Sequence, residues 1–100
     1  MAKVAKRRTI PEKKEAIKAS LGYGDYVMVE WNPNPLHDEV ERIHGRFGRL
    51  VHRSGQVLIE VHGRWENPQT GEWAQYGAAI PLKLVTRVRR LTVGSGTAVL

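Results

Sequence analysis

Two arginine clusters stand out in this 100-residue chain: Arg46, Arg49 and Arg53 in one segment interleaved with apolar residues, and Arg87, Arg89 and Arg90 in another. A guanidinium presents a planar fork of donors that grips a phosphate or carboxylate bidentately and also stacks on flat rings. A third basic group opens the chain. Residues 1–20 hold Lys3, Lys6, Arg7, Arg8, Lys13, Lys14 and Lys18 against only Glu12 and Glu15, which accounts for most of the formal net charge of +6. From residue 21 onward, nine basic residues stand against eight acidic ones. A basic arm on a nearly neutral body suits a polyanion, because Lys and Arg release counterions as they neutralise phosphates. A solvated tail has the same composition, and an anionic membrane would attract it. The arm lacks the bulky apolar face that an interfacial helix buries, so no membrane partner is expected.

Aromatic residues are the second candidate group. Trp31, Trp65, Trp73, Tyr23 and Tyr76 are more ring mass than so small a core can hide. Beside arginine, Trp65, Trp73 and Tyr76 are candidates for stacking on unpaired bases or for anchoring a protein partner, with partial core burial the plain alternative for each. The arginines have a plain alternative too, since their heads can cover an exposed β face and pair with Asp25, Glu30 or Glu60 across strands.

Nucleophilic and metal chemistry find little footing. His37 and His44 share a segment with Asp38, Glu39 and Glu41, but none of their spacings is that of a helical or loop zinc site, and the chain has no cysteine. His52 and His62 are placed on facing strands, where they would make a surface pair. Ser20 and Ser54 have no base and orienting group arranged near them, and no glycine-rich loop opens a helix as a phosphate cradle does. No metal, no cofactor and no catalytic residue are expected, and the chain is read as a non-enzyme.

The elements that must position these residues follow from periodicity and turn chemistry. Thr9 and Glu12 have capping-box spacing with Pro11 in the first turn, which predicts a short helix over 11–19 stopped by Gly22. Its apolar positions, Ile10, Ile17 and Leu21, are too few for it to stand alone, so it must dock or fray. Over 25–31, Val27, Val29 and Trp31 alternate with Tyr26, Met28 and Glu30, as in a half-buried strand. Asn32-Pro33-Asn34-Pro35 ends it and opens a loop over 32–45, either solvated or an acidic strap for the basic arm. A second strand over 46–53 carries Gly48 as a bulge that lets Phe47 and Leu50 both face inward. Ser54-Gly55 turns tightly into a third strand over 56–62, with Val57, Ile59 and Val61 inward and Leu58 outward. The segment 66–72, with proline early and glycine late, predicts a hairpin turn in which Trp65 and Trp73 pair across strands. The small residues of a fourth strand over 73–80 suit a curved wall. A 3₁₀-like turn over 81–84 leads to a fifth strand over 85–91, favoured over a helix by its β-branched residues, and TVGSGTAVL over 92–100 reads as a flexible tail.

This order of five short strands resembles an SH3-like barrel. Gly24, Asp25, Val27 and Val29, followed by Gly45, Gly48, Val51, Val57, Ile59, Glu60 and Val61, also resemble the KOW motif of ribosomal and NusG-type transcription proteins over about 40 residues. The long loop is similar to that of archaeal and eukaryotic SH3-like ribosomal proteins, and the NPQTGEW hairpin is similar in style to the basic SH3-like chromatin proteins of archaea. These resemblances imply nucleic acid, RNA in one case and duplex DNA in the other.

The expectation is therefore an all-β protein, a small five-stranded SH3-like barrel over 21–91 with a basic, partly helical arm over 1–20 and a flexible tail over 92–100. It is expected to bind nucleic acid through Lys3, Lys6, Arg7, Arg8, Lys13, Lys14 and the arginines of the barrel edge. The alternative is an adaptor or assembly subunit that docks protein through Trp65, Trp73 and the first loop. The start MAKVAKRRTI does not have the pattern of a signal peptide and no run approaches the apolar length of a membrane span, so a cytoplasmic location is expected by default. Oligomeric state is left open by the sequence.

Overall fold

Thr9 and Glu12 close the capping box that their spacing suggests. The Thr9 hydroxyl accepts from the Glu12 amide at 3.3 Å, and the Glu12 carboxylate accepts from the Thr9 amide at 3.2 Å. The helix they start, α1, runs Ile10–Ser20 in the computed structural model, which describes residues 8–100. The expected contacts at Lys3, Lys6 and Arg7 lie outside the described residues. α1 docks through Ile17, which is fully buried, and through Leu21 just past its end. Lys13 completes the attachment, its ammonium donating to the carbonyls of Leu82 and Val85, each at 2.8 Å. A helix with so few apolar positions is thus held by two buried aliphatic side chains and a polar clamp.

The chain continues as β1 (Tyr26–Trp31), β2 (Glu41–Arg53), β3 (Gln56–Glu66), β4 (Trp73–Pro81), a 3₁₀ turn (Leu82–Leu84), β5 (Val85–Thr92) and β6 (Ser95–Ala98). They form one antiparallel sheet in the order β4-β3-β2-β1-β5-β6. Among the described residues the protein is mostly β with one short helix, and the sheet has six strands rather than the five expected. Its hydrogen-bonded order leaves β4 and β6 as edges, so the ladder does not close on itself.

One face of the sheet makes the core. Val27, Val29, Ile43, Ile59, Val61, Val85 and Val88 are at most 2% exposed, and Ile17, Leu82, Ile80 and Val99 close the ends. Each such aliphatic side chain contributes about 1.5–3 kcal/mol by leaving water. The register slips between Phe47 and Leu50, so Gly48 and Arg49 form a bulge that keeps Phe47 and Leu50 both against the core.

Three sequence expectations need correction. β2 begins at Glu41 and not at 46, which leaves a loop of 32–40, and β3 runs to Glu66 and not to 62. The cause is that Gly45 and Gly63 face each other across the ladder. A Cβ on either would collide with the carbonyl of His62 or His44, so the glycines let the hairpin bend without ending it. Second, the tail at 92–100 is not loose. Gly94, at φ +77°, turns the chain, the Thr92 and Ser95 hydroxyls lie 2.8 Å apart, and β6 pairs with β5. Val99 then enters the core, its amide donating to the Val88 carbonyl at 2.8 Å. Third, Leu58 and Met28 are buried although their parity points them away from the core. Leu58 sits between Val51 and Pro81, and Met28 sits between His44 and the long side chain of Arg89.

Candidate nucleic-acid interface

The sheet face opposite the core gathers the cations. Register places Trp73, Glu66, Arg42, Glu30 and Arg87 in one row across the strands. Gln75, Arg64, His44, Met28 and Arg89 form the next row, and Gly77, His62, Arg46 and Tyr26 the third. These rows hold five arginines and two histidines against two glutamates, and an aromatic ring at each of two opposite corners.

The first row is an alternating charge ladder. Glu30, whose side chain is only 14% exposed, meets Arg42 at 3.3 Å and Arg87 at 3.6 Å, and Arg42 meets Glu66 at 3.0 Å. Burial alone would lower the pKa of Arg42, but its hydrogen bonds to and the charges of Glu66 and Glu30 outweigh that and raise it further. His44 lies 3.7 Å from Glu66. Burial, with the charges of Arg42 and Arg64, nevertheless holds its imidazole below the usual histidine value, against the pull of Glu66 and Glu30.

Away from that ladder the guanidiniums meet rings and carbonyls. Arg46 donates to the Tyr26 hydroxyl at 2.7 Å and to the Gly24 carbonyl at 3.1 Å, with its central carbon 4.2 Å from the Tyr26 ring centroid. Arg64 stands over Trp73 at the same 4.2 Å. Arg89 is half-buried and donates to the Gly96 carbonyl. Among the described residues none of these three has a carboxylate partner within ion-pair distance, so their charge on this face is not offset by a paired acid.

The expected site residues separate accordingly. Arg46, Arg87 and Arg89 share the outer face. Arg90 has the opposite parity and stands next to Val27 in the ladder, while Arg53 ends β2 at the hairpin tip. Arg49 projects from the bulge 4.0 Å from Glu60. Lys13 is committed to the two carbonyls that hold α1, and Arg8 reaches the Val99 carbonyl at 3.4 Å. Lys14 is half-buried on α1, with no ion pair to a described residue. Arg8, Lys13 and Lys83 line an open cleft of about 660 Å³ between α1 and the start of β5, whose walls include Leu100 and, among the described residues, no carboxylate side chain.

The two tryptophans do not pair. Glu66 faces Trp73 and Trp65 faces Ala74, an offset of one residue that sends the indoles to opposite faces. Trp65 is half-buried at the core margin, donates to Glu41 at 3.2 Å and tilts against Tyr76 at 6.4 Å. Burial and the Glu41 charge raise the pKa of the Tyr76 hydroxyl. His52 and His62 do not face each other either, since His52 pairs with Val57 and His62 with Arg46.

Arg42 and Arg64 are the members of this face that sequence reasoning missed. The signal was there: Arg42, His44 and Arg46 alternate, as do His62 and Arg64, but strands that end at Gly45 and near Gly63 leave both arginines outside the sheet. No protein-family model, curated protein or solved structure matches the chain. Among the described residues no helix is long and apolar enough to cross a membrane.

Proposed function

We propose that this chain is a non-catalytic nucleic-acid-binding protein of SH3-like, KOW-related architecture that contacts phosphates through its basic arm and the outer face of its sheet. The observation that carries this reading is the outer face itself, where six arginines, counting Arg49 at the bulge, outnumber the three glutamates Glu30, Glu60 and Glu66, and two exposed rings each lie under a guanidinium. Cations there supply sequence-independent attraction to phosphates, and Tyr26 and Trp73 supply flat surfaces for unpaired bases. Lys14 and the cationic cleft beside α1 extend the same charge toward the arm. Fluorescence anisotropy of labelled single- and double-stranded oligonucleotides tests the reading. Binding at about 50 mM salt should weaken by at least about tenfold at 200 mM. Absence of binding to every oligonucleotide at the lower salt rejects it.

A second reading, a protein-docking subunit, rests on Leu36. This side chain is 90% exposed on a loop held by turns at Asn32 and Asn34, and Gln69 clasps that loop to the β3–β4 turn at Asp38 and Val40. A fixed, exposed leucine, on a loop clasped to the turn that leads into exposed Trp73, has the form of an interface anchor. Partner binding that survives removal of residues 1–7 but fails on Leu36→Ala and Trp73→Ala would favour it.

A further inference from the structure

Among the described residues nothing pairs with the free side of β4. An edge strand presents unpaired N–H and C=O groups along one side, and natural sheets protect such edges with charges, proline, bulges or shortness. The other edge, β6, has four residues and leads directly into buried Val99. β4 has nine residues, Trp73–Pro81, without one charged side chain, and its ladder with β3 is unbroken from Leu58–Pro81 to Glu66–Trp73. Pro81 closes the strand and does not interrupt it. Among the described residues no hydrogen bond from another element reaches its free side. Trp73, Ala74, Gln75, Tyr76, Gly77 and Ala79 are all exposed.

We propose that this edge pairs with β4 of a second copy of the chain, antiparallel about a two-fold axis. Charge selects that occupant. Copies carrying +6 each repel one another over most of their surface, and the uncharged strip is where the repulsion is least. The strip is bracketed by opposite charges: exposed Glu72 directly precedes it and exposed Lys83 follows it by two positions. Neither makes an ion pair with a described residue. With Gly77 or Ala78 on the axis, Glu72 of each copy comes to the end of the other's strand, where the 3₁₀ turn that carries Lys83 begins, whereas parallel pairing sets like against like. Antiparallel self-pairing requires an axis perpendicular to the sheet, so both outer faces lie on the same side of one continuous sheet. Resting on the proposed nucleic-acid reading, that geometry joins two arginine faces into one. The pairing itself is independent of that reading and is tested without nucleic acid.

Sedimentation equilibrium of the full chain over about 1–500 µM should show a monomer–dimer equilibrium. Ala79→Lys, with unchanged circular dichroism, should leave only monomer, since it sets two new cations close to the axis. Glu72→Lys should weaken dimerisation by about tenfold, and Glu72→Lys combined with Lys83→Glu should restore it. The charge exchange keeps the test decisive should Ala79→Lys fail to fold. A monomer at all concentrations overturns the proposal and leaves the edge for a foreign peptide. Masses above two chains overturn it in favour of head-to-tail pairing, and a dimer insensitive to both the lysine substitution and the charge exchange places the contact elsewhere.

Discussion

The guanidinium of Arg64 lies over the indole of Trp73, its central carbon 4.2 Å from the ring centroid. The two residues are diagonal neighbours on β3 and β4, and Trp73 remains 59% exposed despite the contact. A ring held flat by a cation, on a face otherwise rich in arginine, loses little freedom when a base stacks on the pair. Trp73→Ala should therefore cost about 1–3 kcal/mol of single-strand affinity, read by anisotropy, with a smaller effect on duplex. Trp65→Ala at the core margin should lower stability instead. Equal loss of binding from both substitutions would count against a stacking role for Trp73.

Lys13 and Lys14 adjoin in sequence yet should behave differently. Lys13 is tied to the carbonyls of Leu82 and Val85, so Lys13→Ala should lower the stability measured by urea unfolding by about 1.5–3 kcal/mol, the range for hydrogen bonds to a charged group. Lys14→Ala should leave stability within about 0.5 kcal/mol and reduce the salt dependence of nucleic-acid binding by about one phosphate contact. A Lys14 substitution that unfolds the chain, or a Lys13 substitution that only weakens binding, would reverse these assignments.

Local chemistry made much of this fold legible in the sequence. Thr9 and Glu12 announced α1, the alternation around Val27 and around Ile59 announced β1 and β3, and the proline before Leu82 announced the 3₁₀ turn. What was not legible depended on residues far apart in the chain. Gly45 and Gly63 each look like a strand terminator, and only their mutual pairing turns them into a bend inside two long strands. The Gly94-Ser95-Gly96 segment reads as slack until Val99 is seen in the core beside Val88. The candidate site suffered from the same error, because ending the strands early removed Arg42 and Arg64 from the face they share with Arg46.

The glycine pair makes its own prediction. A methyl at Gly45 would collide with backbone atoms of His62 and Gly63, which have no flexible end to yield. Gly45→Ala should cost at least about 3 kcal/mol or prevent folding, measured by thermal and urea unfolding. Gly22→Ala is the control: its nearest neighbour, a carboxylate oxygen of Asp25, would be 3.8 Å from the new methyl, and the change should stay within about 0.5 kcal/mol. Near-equal stability of the two variants would mean that β2 and β3 do not approach so closely at this point.

His44 ties stability to pH. In the folded chain its pKa is held below the ordinary 6.5, first by burial and then by the charges of Arg42 and Arg64, which outweigh Glu66 and Glu30. The unfolded chain therefore takes up a proton more readily than the folded one as pH falls through 6.5, and acidification draws the equilibrium toward unfolding. This contribution to stability is fully present above 6.5 and is lost as pH falls toward the lowered folded value. His44→Gln keeps a polar side chain of similar size and removes the titration. Urea unfolding midpoints between about pH 7.5 and 5.5 should fall more steeply for the natural chain than for His44→Gln. Parallel curves would show that His44 titrates alike in both states, and a shallower fall in the natural chain would show that Glu66 prevails over burial and the neighbouring arginines.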